Sequence, residues 1–446
     1  MSTIEELKAK ALAAIDSRKD WVIDVSQTIL EHPEAGFQET RTAQLVSEKL
    51  HELGVSHQTG LALTGIKGTV NGGAPGPTVA VIGELDSLRV QGHPKADPES
   101  NAAHACGHHA QIGMMLGAAV GLLAADVLPS LSGNVALMAL PAEEFIDVEY
   151  RLGLYREGKL GLMSGKQEFI RIGAFDDVDM AMMVHTTSSL YDRKLAVGGT
   201  SNGHVVKYIE FIGKAAHAGG TPHLGVNALQ AALIALTALN AQRETMRNED
   251  TIRLHGIMTQ GGVAVSSIPA DVRYEGRVRG STAEAIEDAN AKMDRCLRAG
   301  ALSMGAQVKI TTIPGYLPMI NDPTLVEVFK DNASELVGRD QVVQHRDRRN
   351  HGGSTDMGDL SNIMPVIHPY TGGAVGVGHG TDYLIRDYDL AVINPAKTMA
   401  MSVIDLLADG AGRAKEVLAN SRPSMTRSQY LSFQSSRMRE ELYQGT

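Results

Sequence analysis

The chain contains little cysteine: two residues, Cys106 and Cys296, among 446. Two thiols cannot build the disulfide framework of a small secreted protein, and so few cysteines are typical of a chain kept in a reducing compartment. We therefore expect a cytoplasmic protein with both thiols free. A single bridge between Cys106 and Cys296 is the alternative.

An excess of basic residues and long apolar runs are also missing. The 41 Lys and Arg residues are outnumbered by 51 Asp and Glu residues, which gives a net charge of -10. Nucleic acids and anionic membranes both require a basic face, so we expect neither as a partner and expect a small-molecule substrate instead. The sequence has no run of 18 apolar residues, and its charged start has a helical period. We therefore expect neither a membrane span nor a signal peptide.

What the sequence does contain is an alternation of strand-like and helical segments. Its 43% hydrophobic residues are typical of a globular protein, and its length predicts two or three domains. Strands are predicted at residues 78–86, 134–140, 179–185 and 364–370, and helices at residues 40–53, 110–125 and 395–407. This order predicts an α/β fold with a mostly parallel sheet and helices on both faces.

A different pattern occupies residues 200–312. Its predicted elements follow the order β-α-β-β-α-β, which is the split βαβ arrangement. We therefore predict a small α+β domain, residues 200–312, inserted into a larger domain made of residues 1–199 and 313–446. The polar segment that begins at Ser421 is predicted to be either a helical oligomer contact or a tail.

Metal-binding and acid-base side chains follow the predicted strands. Asp86 ends the first strand, Glu143 and Glu144 follow the second, and His185 ends the third. The carboxyl ends of parallel strands meet at one edge of a sheet, so we expect these groups to lie on a common rim. The motif HACGHHAQ adds Cys106 and His108 at a turn into a helix, and a glycine-rich loop carries His379.

Each of these residues alone has an ordinary structural interpretation, and their joint placement favours a metal site. One thiolate, three imidazoles and one carboxylate suit divalent Zn, Mn, Co or Ni. Five ligands exceed the need of one tetrahedral ion, whereas two ions roughly 3.5 to 4 Å apart would use them all. We expect two ions per subunit, with one ion as the alternative. Adjacent Glu143 and Glu144 predict that one carboxylate binds metal while the other accepts a proton from water.

Eight ordered motifs spanning nearly the whole chain resemble a known family. They are GELD, HACGHHAQIGMMLGAA, LPAEE, MVH, FIGKAAHAGGTPHLGVNAL, HGIMTQGGVAVSSIP, GGSTDMGDLS and GHGTDY. Together they resemble the metallopeptidase family of aminoacylases, carboxypeptidase G, aminobenzoyl-glutamate hydrolase and the indole-acetyl-amino-acid amidohydrolases.

The resemblance implies a catalytic α/β domain with two divalent metals and an inserted lid domain through which two subunits dimerise, with a higher homo-oligomer also open. The metal ligands it implies are Cys106, His108, Glu144, His185 and His379. It further implies Glu143 as general base, Asp86 as a carboxylate that steadies the site, and Arg279 as the group holding a substrate carboxylate. His217 would reach into the partner subunit's active site and stabilise the developing oxyanion.

Three departures from the family pattern fall where substrate is expected. His109 and Gln111 follow the ligand histidine in an unusual order, Ser266 replaces an asparagine, and DSLR stands for DALP. We therefore expect His109, Gln111 and Ser266 to contact substrate. His104, His223 and His351 are expected to form hydrogen bonds near the site, and the basic run at residues 345–350 is interpreted as a solvated loop that could also attract an anionic substrate.

The sequence thus predicts a metal-dependent hydrolase of a C–N bond in a small acidic molecule. The default substrate is an N-acyl or aryl-acyl amino acid, such as an aminobenzoyl-glutamate. One alternative keeps the site and replaces a ring amino group with hydroxyl, as in the nitroanthranilate aminohydrolase that resembles this family. The second alternative is a non-catalytic metal-binding protein.

Overall fold

The computed structural model describes residues 2–350 and 352–445, without the side chains of residues 346–350. His351 lies outside the described residues. The helices of the described chain are α1 (Ile4–Ser17), α2 (Lys19–Leu30), α3 (Thr40–Glu52), α4 (His108–Leu122), α5 (Val148–Arg156), α6 (Gly165–Arg171), α7 (Ala228–Ala241), α8 (Ala283–Met304), α9 (Pro323–Val337), α10 (Met357–Ser361), α11 (Asn394–Leu407), α12 (Gly412–Asn420) and α13 (Arg427–Arg437).

The strands fall into a central sheet, an insert sheet and several short pieces near the site. They are β1 (His57–Leu61), β2 (Gly65–Asn71), β3 (Ala74–Glu84), β4 (Leu88–Arg89), β5 (Ala102–Ala103), β6 (Ser132–Leu140), β7 (Met180–Met182), β8 (His185–Thr186), β9 (Leu195–Ser201), β10 (Gly203–Ile212), β11 (Arg253–Gln260), β12 (Asp271–Gly280), β13 (Gln307–Pro314), β14 (Met319–Ile320), β15 (Val342–Asn350), β16 (Val366–Ile367), β17 (Tyr370–Thr371), β18 (Ala374–Val375), β19 (Leu384–Ile385) and β20 (Arg439–Tyr443).

The central sheet has the order β1-β2-β6-β3-β7-β16. Strands β6, β3, β7 and β16 run parallel, and β2 and β1 add an antiparallel edge. The predicted mostly parallel sheet is confirmed. The predicted strand at residues 179–185 is instead two short strands, β7 and β8, and the one at residues 364–370 is likewise divided into β16 and β17.

Both faces of this sheet are covered by helices. Val79 and Val81 of β3 belong to one apolar core, and Ala80 and Ile82 belong to another. Because successive strand residues point to opposite faces, this division places one core on each side of the sheet. Helices α1, α2, α4 and α11 contribute to the first core, and α6, α10 and α13 contribute to the second.

Helix α4 packs closely because it is rich in small residues. A Cβ added to Gly117 would lie 2.8 Å from the Cβ of Ala396 in α11. The segment Asp389–Leu407, a π-helical turn continued by α11, is long and apolar enough to cross a membrane by length and composition. It is 78% buried inside the protein, as expected of a core helix.

The insert follows the predicted β-α-β-β-α-β order in β10, α7, β11, β12, α8 and β13. Its antiparallel sheet has the order β11-β12-β10-β13-β20, and α7 and α8 cover one face of it. On the other face, Val206, Tyr208 and Ile313 pack with Phe145 and Leu152 of the larger part. This second face therefore borders the central sheet's functional edge.

The C-terminal segment is integrated into the fold. Tyr430 and Gln434 of α13 are fully buried and contact Asp359. Strand β20, which the sequence placed with residues 313–446, pairs with β13 of the insert sheet. The segment is therefore an internal structural element, because its apolar and hydrogen-bonding groups find partners within the same chain.

Candidate metal centre

A cavity of about 550 Å³ lies between the central sheet and the insert. Its lining from the larger part includes Cys106, Glu143, Glu144, His185, Tyr316, His368, Tyr370 and His379. Its lining from the insert includes Arg253, His255, Arg277 and Arg279. The cavity thus has one wall of metal-binding and acidic groups and one wall that carries three arginines and a histidine.

The first wall is built at the carboxyl ends of neighbouring parallel strands. Strand β3 ends at Glu84 and β6 ends at Leu140, so Asp86 and the pair Glu143 and Glu144 follow at the same edge. His185 begins β8, three residues after the end of β7. The rim expected from the strand order is therefore present, with His185 on a separate short strand.

Gly107 makes the turn that presents Cys106 and His108. Its φ is 99°, and a Cβ there would lie 2.1 Å from Oγ1 of Thr186, so glycine is required twice over. Helix α4 starts directly afterwards at His108, two residues before the predicted start. The two ligand candidates thus stand on either side of a left-handed residue at a helix N-terminus.

The five predicted ligands come together in overlapping groups. Donor atoms of Cys106, His108 and His185 all lie within 4.8 Å of one another, as do those of Cys106, Glu144 and His379. Sγ of Cys106 lies 3.2 Å from Nε2 of His185, and Nε2 of His379 lies 3.3 Å from Oε1 of Glu144. Cys106 is common to both groups, which is the arrangement that two neighbouring ions would use.

Asp86 contacts two of the predicted ligands, His108 and Glu144, and so fixes their positions. Its Oδ1 lies 3.1 Å from Nδ1 of His108, and its Oδ2 accepts a hydrogen bond of 2.8 Å from the backbone N–H of Glu144. With Nδ1 donating to Asp86, the Nε2 lone pair of His108 is free to bind a metal. Asp86 is fully buried, so its position is well defined by these two partners.

Glu84 is a site residue that we did not predict. Its Oε2 lies 3.1 Å from Nε2 of His108, yet within the described chain neither atom forms a hydrogen bond. Donor atoms of Glu84, His108 and Glu143 lie within 4.8 Å of one another. Two buried electron-pair donors that face each other at this distance fit a site for a cation. The mixed sulfur, nitrogen and oxygen donors fit a divalent transition metal.

Buried charges hold Glu84 in place. Lys166 of α6 forms ion pairs with Glu84 and Asp356, and all three side chains are essentially inaccessible. Burial alone would raise the pKa of Glu84, but Lys166 and His108 outweigh burial and lower it. The motif GELD placed Glu84 two residues before Asp86, on the same strand face, and that spacing was the available signal. For Lys166, whose partners are distant in sequence, we find no such signal.

The carboxyl group of Glu143 has less positive charge near it than the carboxylate of Glu84 has. Burial raises its pKa, and the negative charges of Glu84 and Glu144 raise it further. The loop that carries it is held by buried Arg151, which donates to the carbonyl oxygens of Ala142, Glu144 and Ile146. Glu143 is therefore a carboxyl group on a rigid loop with a raised affinity for a proton.

Two predicted substrate contacts lie outside the cavity. His109 and Gln111 are buried on α4, and Gln111 Oε1 accepts from the backbone N–H of Glu84. The ring of His109 lies 5.3 Å from that of His104. Neither residue lines the cavity, because His109 is turned by about 100° from His108 on the helix and Gln111 faces strand β3, where it contacts Glu84. The expectation that these two residues contact substrate is corrected accordingly.

His217 and Ser266 lie next to each other, away from the cavity of their own chain. The backbone N–H of Ala218 donates to the carbonyl oxygen of Ser266, and both His217 and Ser266 are exposed. Nδ1 of His217 accepts from the backbone N–H groups of Gly219 and Gly220. That acceptor role leaves the proton of the neutral ring on Nε2 of this exposed residue, where it can be donated. Within one chain, then, Ser266 does not reach the substrate cavity.

Other expectations have mixed outcomes. Within the described residues, His104 is buried without a hydrogen-bond partner, contrary to expectation. His345, the first residue of the basic run, lies 2.9 Å from Asp192, and the side chains of residues 346–350 are outside the description. Cys106 and Cys296 are both free, with Cys296 buried in the insert core.

Comparison with known proteins now decides the family. The model of peptidase family M20/M25/M40 matches residues 80–392, more than half of the chain. The chain belongs to this family. The M20 match makes it a metal-dependent hydrolase and confirms the family resemblance.

Relatives of this M20 protein carry several hydrolase names. A Xaa-Arg dipeptidase of Mus musculus is 30% identical over 341 residues, covering 74% of this chain and 70% of the relative. An N-acyl-L-amino acid amidohydrolase of Geobacillus stearothermophilus is 27% identical over 327 residues, covering 72% and 82%.

Solved structures show the same fold. The YXEP protein of Bacillus subtilis, a dinuclear metal binding peptidase from the M20 family, has a TM-score of 0.64 at 21% identity, covering 88% of this chain and 99% of its own. The aminobenzoyl-glutamate utilization protein of Klebsiella pneumoniae has a TM-score of 0.66 at 19% identity, covering 88% and 97%.

Proposed function

We propose that this M20 hydrolase cleaves the amide bond of N-acyl or aryl-acyl amino acids. The observation that carries the proposal is the composition of one cavity: clustered metal donors and Glu143 on one wall, and Arg279 on the other. The first wall supplies what amide hydrolysis requires. The second supplies a planar cation suited to the carboxylate of an amino acid.

Cys106, His108, Glu144, His185 and His379 would hold the metal, with Asp86 orienting His108. Divalent ions bound there supply Lewis acidity to the amide carbonyl and lower the pKa of water. Glu143 would accept the proton of the attacking water and return it to the leaving amine nitrogen. We propose two ions per subunit, with Zn, Mn, Co or Ni as the candidates and a single ion as the alternative.

We further propose that the active enzyme is a homodimer formed through the insert. Strand β11 is the edge of the insert sheet, and it carries the exposed apolar residue Ile257, with exposed Val263 and Val265 in the loop that follows it. An exposed edge strand beside apolar side chains is a surface that a second copy can cover. His217 would then donate through Nε2 to the oxyanion in the partner's cavity, which its own chain does not let it reach.

The aminohydrolase alternative has less support. It depended on Ser266 and on altered surroundings at His109 and Gln111. The side chains of His109 and Gln111 are buried outside the cavity, and Ser266, which lies beside His217, could act only in the partner's cavity. We therefore propose amide hydrolysis alone. From the low cysteine content we also propose that the enzyme is cytoplasmic.

The test is a substrate screen with metal-loaded protein. N-acyl amino acids and amino-substituted aromatic acids are incubated separately, and free amino acid and ammonia are measured in parallel. We expect release of an amino acid from N-acyl compounds without free ammonia. Ammonia from the aromatic acids, with intact N-acyl compounds, would overturn the proposal.

A further inference from the structure

The cationic wall of the cavity is a patch on two paired strands of the insert. In the antiparallel register of β11 and β12, Arg253 lies opposite Arg279, and His255 lies opposite Arg277. Directly opposed residues on one sheet face have Cβ atoms about 4.5 to 5.5 Å apart. We call these four residues the arginine face.

The burial pattern of β12 explains why these side chains share a direction. Val272, Tyr274 and Val278 are buried under the insert helices, and the alternate residues Arg277 and Arg279 point the other way. That other direction is the face of the sheet that borders the larger part, where all four residues of the arginine face line the cavity. The cations therefore point toward the metal donors across the space that the substrate would fill.

Placing like charges in opposed positions costs stability. Opposed like charges on paired strands are destabilising, and Arg253 lies directly opposite Arg279. Burial and the two neighbouring arginines lower the pKa of His255 to about 4, so this residue adds no charge to the patch. Among the side chains that the structure describes, no carboxylate lies within ion-pair distance of Arg253, Arg277 or Arg279. Burial, and then the charge of Arg277, lower the pKa of Arg279 to about 10. The patch is thus a site of positive potential on which Glu143 and Glu144 act across the cavity without forming ion pairs.

The guanidinium groups also have spare donors. Arg279 donates from Nε to His255 and from Nη1 to Ser354, Arg277 donates from Nη2 to the carbonyl oxygen of Phe145, and Arg253 donates from Nη1 to the carbonyl oxygen of Ile252. Each guanidinium has five N–H donors, so every one keeps at least three for a ligand. These contacts orient the groups without satisfying them.

We propose that the arginine face binds two carboxylates, so that the amine half of the substrate is a dicarboxylic amino acid of the aspartate and glutamate class. The inference rests on the proposed amide hydrolysis. Arg279 holds the carboxylate next to the scissile nitrogen, and Arg277 with Arg253 holds the side-chain carboxylate. Same-face neighbours on a strand are roughly 7 Å apart, a spacing that flexible arginine side chains can close onto the two carboxylates of one small molecule.

Charge balance within the protein is the competing explanation for these arginines. Glu143 and Glu144 line the same cavity, but they belong to the groups of donors that would surround divalent cations. With cations in place these carboxylates are compensated locally. The three guanidinium groups then remain the unmatched charges of the cavity, and an anionic substrate is what would match them.

The experiment compares matched substrates with metal-loaded protein. N-benzoyl derivatives of glutamate, glutamine, leucine and arginine are hydrolysed in parallel, and kcat/KM is measured for each. Glutamate and glutamine have nearly the same shape, so their ratio isolates the side-chain charge. We expect glutamate to be favoured over glutamine roughly 10- to 100-fold, the effect of a charge-assisted hydrogen bond, with the arginine derivative poorest.

Three arginine variants test which side chains cause the preference for the glutamate derivative. Arg277→Met should bring the glutamate to glutamine ratio close to one, mainly by raising KM for the glutamate derivative. Arg253→Gln, on an exposed side chain, should reduce the ratio in the same direction without risk to folding. Arg273→Met is the control, because Arg273 lies on the same strand face but is paired with Glu149 and Asp271. It should leave the ratio unchanged.

The outcomes separate the two proposals. If the glutamine and leucine derivatives have the same kcat/KM as the glutamate derivative, the dicarboxylate inference is wrong and amide hydrolysis stands. If Arg273→Met changes the ratio as much as Arg277→Met, the arginine face is not the discriminating site. If no N-acyl amino acid is hydrolysed, the proposed function is wrong and the inference falls with it.

Discussion

Sγ of Cys106 lies 3.2 Å from Nε2 of His185, although the two residues are 79 positions apart in sequence. This contact joins the turn before α4 to the strand β8. It places a sulfur and a nitrogen donor where one cation can bind both. We therefore expect metal binding to require the Cys106 thiol.

Cys106→Ser should lower the bound metal per subunit, because a hydroxyl is a much weaker ligand than a thiolate for transition metals. The measurement is metal content by elemental analysis after dialysis against metal-free buffer. Cys296→Ser is the control, since Cys296 is buried in the insert core. Metal loading should also protect Cys106, but not Cys296, from a thiol reagent. Equal metal content in both variants would show that Cys106 is not a ligand.

Glu143→Gln and Glu144→Gln should both lose activity, but for different reasons. Loss of a proton-transferring carboxylate reduces kcat by about 10²- to 10⁴-fold. We expect that loss in Glu143→Gln with metal content retained, and loss of metal content in Glu144→Gln. Kinetics and elemental analysis on the same preparations check both expectations. Normal turnover by Glu143→Gln would remove it from the mechanism.

His217 gives a test of shared active sites. His217→Ala and Glu143→Gln should each be nearly inactive as pure homodimers. When the two variants are mixed under subunit exchange, half of the dimers are mixed, and each mixed dimer has one site with both residues intact. The mixture should therefore recover about a quarter of the wild-type activity. Absence of recovery despite proven exchange would place His217 outside the partner's site.

Lys166 is expected to be a structural cation of the site. Removing it in Lys166→Met leaves Glu84 and Asp356 buried without their shared partner. Breaking a buried ion pair in this way costs about 3 to 5 kcal/mol of unfolding free energy. Chemical denaturation of the metal-free protein measures the change. Lys159→Met, an exposed lysine, should have the wild-type midpoint, and an unchanged midpoint for Lys166→Met would contradict the expectation.

Asp359 predicts a pH dependence of stability. Burial raises its pKa to about 7, although Tyr430, Gln167 and Gln434 donate hydrogen bonds to it. A raised pKa in the folded state means that the folded protein binds the proton more tightly than the unfolded chain. The associated stability is present below about pH 4 and is lost as the pH rises to about 7, with a slope approaching 1.4 kcal/mol per pH unit.

Asp359→Asn removes this ionisation while keeping the size of the side chain. The variant should therefore gain stability relative to wild type when the pH is raised from 5 to 8. Denaturation midpoints at several pH values give the comparison. Parallel profiles for the two proteins would show that Asp359 does not titrate in this range.

Much of the site could be predicted because it depends on local rules. Strand alternation identifies which residues share a face, and parallel strands bring their carboxyl ends to one edge. Asp86, Glu143, Glu144 and His185 follow those strand ends, and the structure brings them to one rim. Glu84 lies at the same strand end but was not among the predicted site residues. A second carboxylate two residues before Asp86 is equally consistent with a solvated end of the strand.

Other features depend on positions distant in sequence. Lys166 meets Glu84 across 82 residues and Asp356 across 190, and no local pattern links them. His109 and Gln111 are close to His108 in sequence but are buried outside the cavity. His109 is turned by about 100° from His108 on the helix, and Gln111 is bound to the backbone of Glu84 on a strand distant in sequence. Ser266 lies on the insert beside His217, away from the cavity of its own chain, whereas His217 is expected to act in the partner's cavity.

The sequence by itself predicted the α/β fold, the order of elements in the insert and the donor side chains that the structure clusters, because these follow from periodicity and from motifs a few residues long. Only the tertiary structure decided which groups face the substrate. The arginine face exists because two insert strands pair in one register and pack with that side toward the metal donors. Such a surface is a property of strand pairing and of the packing of two units, which nearest neighbours along the chain do not specify.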